Sequence, residues 1–242
     1  MTQTLRDRLY PISPYEGLNP MDWPDDLQGW GSDHPVLATV IEQVRPKRIV
    51  EVGSWKGRSA INMARVVREL GLDCEILCVD TWLGSPEHWL SDGGNWQQSL
   101  ALRHGYPQLY YTFLGNVVRH GFEDIITPLP MTSESAAFVL RSLGVTCDIA
   151  YIDAAHEYGP AKRDFIAYYD LLNDTGVLIG DDYIYWPGVT QAANEFALER
   201  GLRIVGEPGK FVISKHADLV PGISIPLMSR LLGKLRPPAA AG

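Results

Sequence analysis

Apolar residues along this chain gather into short runs that end in Gly or Asp, and most of the runs are separated by segments of helix length. In order they are RIVEVG (Arg48 to Gly53), EILCVD (Glu75 to Asp80), CDIAYID (Cys147 to Asp153) and GVLIGDD (Gly176 to Asp182). Continuous Val/Ile/Leu stretches of this kind suit strands covered on both faces, as in a parallel sheet. Between the first two, GRSAINMARVVRELG sets Ile61, Ala64, Val67 and Leu70 at helical spacing and closes on Gly71. Between the last two, YGPAKRDFIAYYDLLND offers Phe165, Tyr168, Tyr169, Leu171 and Leu172 as a core stripe, and after the fourth run VTQAANEFALERG supplies a further helix ending at Gly201. The repetition predicts a doubly wound, mostly parallel sheet between two layers of helices. RIVGEPGKFVISK breaks the pattern: two β-rich stretches flank Glu207, Pro208 and Gly209, which predicts a terminal antiparallel hairpin.

The same reading divides the chain. Residues 1–34, rich in Pro, Trp and Tyr, are expected to form an arm or lid, residues 35–215 the main domain, and residues 216–242 a tail ending in RPPAAAG. Within the domain, 82–121 is a long insertion carrying Trp82, His88, Trp89 and Trp96, a candidate lid over an acceptor. A chain of 242 residues with 45% hydrophobic composition is enough for one large core. The balance of 21 basic against 29 acidic residues, a net −8, argues against general affinity for a nucleic-acid backbone. No apolar run approaches the roughly 18–20 residues of a membrane span, and MTQTLRDRLYPISP carries charges and prolines where a signal peptide is apolar. The expectation is a cytoplasmic protein with a small-molecule partner, no nucleic-acid or membrane partner, and an aromatic arm suited to packing against a second copy. Cys74, Cys78 and Cys147 form no CxxC pair and sit in apolar runs, as buried free thiols do.

In open α/β sheets ligands bind beyond the carboxyl ends of the strands, so those ends carry the chemistry. The first is EVGSWKGRS, with Glu51, Gly53, Gly57 and Ser59; Gly53 allows a tight turn and close approach of a ligand to the backbone. It is neither the G-x-G-x-x-G dinucleotide fingerprint nor a P-loop, because Lys56 precedes Gly57. The second end, CVDTW, places Asp80 where an acidic side chain can accept hydrogen bonds from ribose hydroxyls, followed by Thr81 and Trp82. Trp82 suits either the cover of an adenine ring or packing under the insertion. Together these residues point to an adenosine-containing ligand.

The remaining ends are acidic. YIDAAHEY sets Asp153 and His156 three residues apart, and GVLIGDDY sets Asp181 beside Asp182. If the two strands are neighbours, three carboxylates converge, and they repel one another unless a cation or protons neutralise them. Oxygen-only ligation favours Mg²⁺, with Mn²⁺ or Ca²⁺ as alternatives. Such an ion lowers the pKa of a bound hydroxyl and stabilises a developing alkoxide, and His156, with an ordinary pKa of about 6.5, suits the role of general base. Tyr183, Tyr185 and Trp186 follow and suit either a pocket wall or core packing.

The motifs E-x-G-S-x-x-G-x-S, V-D-T-W, I-D-A-A-H-x-Y and G-D-D-Y with W-P-G-V resemble those of class I S-adenosylmethionine-dependent methyltransferases, and in particular the metal-dependent O-methyltransferases of macrolide sugars and related natural products. The resemblance covers roughly residues 35–215 and agrees with the terminal hairpin. It implies that Glu51, Gly53 and Ser59 lie along the methionine end of S-adenosylmethionine, with Asp80 on its ribose; Thr81 and Trp82, which follow Asp80, are further candidate cofactor contacts. It also implies that Ser133, in PLPMTSES, lies near the adenine, and Asp153, at its strand end, is a candidate for both the cofactor and the metal. Ser133 reads equally well as a helix N-cap. The D-x-x-H spacing resembles that of sugar O-methyltransferases in which the histidine is the base, although some relatives have Glu-Asp where this chain has Asp181 and Asp182. The implied activity is methyl transfer to a hydroxyl of a small polyoxygenated acceptor. The alternatives are a cofactor-binding protein without transfer, which needs no acidic cluster, and a hydroxylase-type relative. The chain shows no two-histidine, one-carboxylate iron pattern for the latter.

Overall fold

The computed structural model describes residues 3–90 and 96–215, so the expected tail lies outside the described residues. Seven strands form one sheet: β1 (Arg48–Val52), β2 (Glu75–Asp80), β3 (Ile126–Pro130), β4 (Cys147–Ile152), β5 (Leu172–Tyr183), β6 (Ile204–Glu207) and β7 (Gly209–Ser214). Their order is β3-β2-β1-β4-β5-β7-β6. The first five are parallel, and β7 runs antiparallel between β5 and β6. This is the doubly wound sheet with a terminal hairpin that the apolar pattern predicts.

Both faces of the sheet are covered, which is why its strands read as unbroken apolar runs. Helices α2 (Pro35–Val44), α3 (Arg58–Glu69) and α6 (Leu109–Arg119) pack on one face together with Ile49, Ile76, Ile149 and Ile179. Helices α7 (Ser133–Ser142), α8 (Tyr158–Tyr169) and α9 (Pro187–Glu199) pack on the other with Val50, Leu77, Ala150 and Leu178. Consecutive residues of each strand thus serve opposite layers. The short α1 (Leu5–Leu9) inserts Leu5 into the second layer. The expected stripe Ile61, Ala64 and Val67 of α3 is buried, and so are Phe165, Tyr168 and Tyr169 of α8. Leu171 and Leu172 are buried as well but lie past the helix, and Leu172 opens β5.

Two of the elements that lie outside the sequence pattern bear on the sheet. The third strand, ITPLP, carries Pro128 and Pro130, which remove backbone donors and make it look like a loop. It tolerates them because it is the edge strand, with only β2 as a neighbour. The second is α6, which lies inside the expected 82–121 insertion yet is a buried helix of the sheet layer, with Phe113, Leu114 and Val117 in the core. Ahead of it, Gly84–His88 with the short helix α4 (Pro86–Trp89) stands over the strand ends, and Trp96 of α5 (Trp96–Ser99) packs on His88 and Trp30.

The amino-terminal arm lies against α3 and α6. Buried Lys56 binds Asp26 at 2.6 Å and Gln28 at 2.8 Å, and the Asn116 amide donates to the Asp26 carbonyl at 2.8 Å. Asn62 donates to the carbonyl of Ser32, and Arg58 to that of Gly29. All three cysteines are free and buried. No helix among the described residues is long and apolar enough to cross a membrane.

At Gly53, φ is +87° and a Cβ would sit 1.8 Å from the Asp153 carbonyl oxygen, because the chain leaving β4 runs directly beside the end of its parallel neighbour β1. Gly53→Ala is expected to cost on the order of 2–4 kcal/mol from combined backbone strain and overpacking. That loss lowers the Tm by about 4–16 °C for a domain of this size. A thermal melt within about 1 °C of wild type refutes the close-approach account.

Candidate active site

The carboxyl ends of β1, β2 and β4 open into a cavity of about 450 Å³, roofed by the arm at Gln28–Trp30 and Ser32 and by the segment Gly84–His88. That volume lies within the range of small-molecule and cofactor sites. Gly53, Ser54, Trp55 and Ser59 form one wall, Asp80 and Thr81 the next, Met131–Glu134 the third, and Asp153–Glu157 the fourth.

Asp80 organises the first two walls. Its Oδ2 accepts the N–H groups of Ser54 (3.0 Å) and Trp55 (2.8 Å), and its Oδ1 accepts that of Trp82 (2.7 Å). Burial raises its pKa above the ordinary value, against these N–H donors, which favour the ionised form. Glu51 stands behind the wall and does not line the cavity: it is fully buried, accepting from Ser59 Oγ at 2.5 Å and Cys78 Sγ at 3.3 Å. It holds Ser59, which does line the cavity, in place. Trp82 also departs from the adenine-cover alternative. Only 2% exposed, it packs on Tyr110 and Phe113 and donates its ring N–H to the Trp55 carbonyl at 2.7 Å, away from the cavity. Its bulk fills the space between α6 and the β1 loop, so it serves packing there.

Ser133 lines the third wall as the first residue of α7, while Thr132 is the N-cap, accepting from the Ser135 N–H. The Ser133 hydroxyl donates to Asp164 at 2.5 Å. Asp164, on α8, also lines the cavity, and burial lifts its pKa to about 6 against the Ser133 hydrogen bond. Its place inside a helical apolar stripe gave no sign of this position.

The acidic side differs most from expectation. Asp181, 8% exposed, accepts from the Tyr151 hydroxyl at 2.6 Å and from the Asp182 N–H at 2.7 Å, and is ion-paired with Lys210, which is 1% exposed. Lys210 is its direct cross-strand neighbour on β7. A register shift follows, so that Asp182 is an extra residue in β5 with φ +60°, and Ile184 two residues on has φ +76°. Such strained backbone at a bulge re-aims side chains. The Asp182 carboxylate reaches His156 Nε2 at 3.0 Å.

Asp153 lies beside both. The Tyr151 oxygen is 3.2 Å from its Oδ2. Burial first, then the charges of Asp181 and Asp182, hold its carboxyl well above the usual range, with Lys210 pulling against them. Among the described residues no three His, Cys, Asp or Glu side chains are disposed as a metal-ligand set. The expected grouping of Asp153, Asp181 and Asp182 around one cation is therefore not formed. The physical reason is that Asp181 is already committed to an ammonium and a phenol, and Asp182 to an imidazole.

His156 lines the cavity, stacked on Trp186 at 4.2 Å between ring centroids, with its Nδ1 3.2 Å from Glu87 on α4. Desolvation disfavours the charged ring, yet the hydrogen bonds and charges of Asp182 and Glu87 outweigh it and raise the pKa. Of the aromatic residues after Asp182, Tyr183 packs in the core against Phe211, Tyr185 is exposed, and Trp186 backs His156. Lys210, Tyr151, Glu87 and Asp164 are the site residues that strand-end reading missed. The alternation of Tyr151 and Asp153 along β4 was the one available signal.

Comparison with solved structures finds the same architecture at low sequence identity. The O-methyltransferase NovP matches with a TM-score of 0.61 and 17% identity over 81% of this chain and 85% of that one. An O-methyltransferase from Bacillus cereus in complex with SAH gives 0.53 and 16% over 80% and 84%. CalS11, a calicheamicin methyltransferase also described as a TDP-rhamnose 3′-O-methyltransferase, gives 0.55 and 19% over 76% and 78%. Comparison with curated proteins gave no match. A methyltransferase-domain family model matches residues 50–183, more than half of the 242-residue chain and all but the first two residues of the β1–β5 segment that builds the cavity walls. The chain therefore belongs to the methyltransferase-domain family.

Proposed function

We propose that this protein transfers a methyl group from S-adenosylmethionine to a hydroxyl of a small polyoxygenated acceptor. The observation that carries the reading is the convergence, in one cavity, of an adenosine-sized polar cradle and a histidine whose two ring nitrogens each meet a carboxylate. The residues fit the cofactor: Gly53 leaves the backbone bare, Asp80 and Thr81 supply acceptors, and Met131 gives the third wall an apolar surface beside Ser133 and Asp164. When bound, S-adenosylmethionine supplies an electrophilic methyl on a sulfonium.

The protein's own contribution is to orient the acceptor and move its proton. Asp182 does not line the cavity, and Glu87 does. Asp182 therefore fixes the ring through Nε2, while Nδ1 faces the acceptor side, where an incoming hydroxyl takes the place of Glu87. His156 then accepts the hydroxyl proton at Nδ1, and the charge of Asp182 stabilises the imidazolium that results. Trp30 and the stacked pair Trp55–His88 line the cavity and give it aromatic surface suited to an acceptor such as a sugar or other natural product. The name borne by CalS11 accords with that class. A divalent cation, expected from the sequence, has no donor set among the described residues, and no step is assigned to it.

Calorimetry is expected to show one S-adenosylmethionine per chain, and mass spectrometry a methylated product from a panel of glycosides and phenols. Cofactor binding with no product across the panel removes the transferase reading. His156→Ala is expected to lower the rate by roughly 10²–10⁴-fold with cofactor affinity unchanged.

The pH profile tests the base directly. Only the neutral ring accepts a proton, and its pKa is raised, so the rate climbs as pH rises through that raised value and falls below it. Glu87→Gln removes one of the raising charges, and the climbing limb is expected to move to lower pH. A limb that stays in place rules out Glu87 as a partner of the base.

A further inference from the structure

We infer that Lys210 is the resident cation of the acidic centre, so that the wild-type site takes up no divalent metal ion and loss of the lysine ammonium opens a place for one. Three carboxylates at the ends of neighbouring buried strands need compensating positive charge. In this chain the compensation is covalently attached. Lys210 lies two residues before Val212, which packs in the same layer as Ile179, so its side chain points to the face from which Asp181 and Tyr151 project. The β5–β7 register places it opposite Asp181, its ammonium is ion-paired with that carboxylate, and it stands 5.5 Å from the centroid of the Tyr151 ring.

The arm seals the pair. Backbone at Gly31 lies so close that a Cβ there would be 3.0 Å from Lys210 Nζ. With water excluded, a lysine keeps its charge only beside a fixed anion, and the anion only beside a fixed cation. Asp181 then has no free oxygen: one accepts from Lys210 and Tyr151, the other from the Asp182 N–H. A divalent ion at this point would have to displace a buried ammonium or stand as a second positive centre beside it. Asp182, drawn by the bulge toward His156, is likewise engaged.

The bearing of this arrangement on catalysis rests on the methyl-transfer reading, whereas the binding test below does not. Purified full-length protein is titrated with Mn²⁺, free Mn²⁺ being followed by electron paramagnetic resonance, without cofactor or acceptor. Wild type and Lys210→Arg are expected to bind no Mn²⁺ up to about 1 mM, a concentration at which carboxylate-rich sites fill. Lys210→Met is expected to bind one equivalent and to melt at a higher temperature in its presence; adding Asp181→Asn to that variant abolishes both effects. Stoichiometric Mn²⁺ binding by wild type that disappears in Asp181→Asn overturns the inference. So does a folded Lys210→Met protein with no gain in Mn²⁺ affinity. Should Lys210→Met not fold, the wild-type titration decides the matter alone. A transferase assay that fails, alongside a wild type that ignores Mn²⁺, removes the proposed activity and leaves the resident cation standing.

Discussion

A charged group at the end of a strand that is covered on both faces must find a partner or give up its charge. The sheet is buried by α2, α3 and α6 on one side and by α7, α8 and α9 on the other. Polar side chains are therefore pressed toward the carboxyl ends, where desolvation makes each unpaired charge costly. Every acid at those ends answers the demand differently. Glu51 turns to Ser59 and Cys78, Asp80 gathers the N–H groups of two loops, and Asp181 takes Lys210. These same bonds hold the β1 loop, the β2 loop and the hairpin against one another and so shape the cavity.

Asp181 and Asp182 show how one bulge divides two adjacent acids between two tasks. In a regular strand they would point to opposite faces. With an extra residue inserted, Asp181 stays in register with Lys210 while Asp182 swings to the β4–α8 loop and fixes His156. The cost is left-handed backbone at Asp182 and at the β-branched Ile184, tolerated because the Thr190 hydroxyl accepts the Ile184 N–H at 2.8 Å. Strain is thus stored beside the side chain that orients the candidate base. On the other side of His156, Glu87 belongs to the short helix over the cavity, so the state of that helix and the basicity of the ring are linked.

Much of this was legible in residue order. Runs such as EILCVD and CDIAYID announced doubly covered strands, and Gly53, Asp80, Asp153 and His156 were marked by standing at their ends. The structure places all four on the cavity wall. β3 was illegible because its prolines mask a strand whose edge position excuses them, and edge position is not a local property. Trp82 was ambiguous because an aromatic residue after a strand suits a ligand or a core equally, and only the neighbouring α6 decided for the core.

By itself, the sequence determined the alternation of strands and helices, the terminal hairpin and which residues stand where ligands bind, because periodicity and chain-end chemistry are local. Tertiary structure alone decided which partner each acid acquired. Glu87 meets His156 across 69 residues, and Lys210 meets Asp181 only because of the hairpin's register and its place between β5 and β6. Electrostatic pairing depends on distance in space, and that distance is fixed by packing, after the chain has folded.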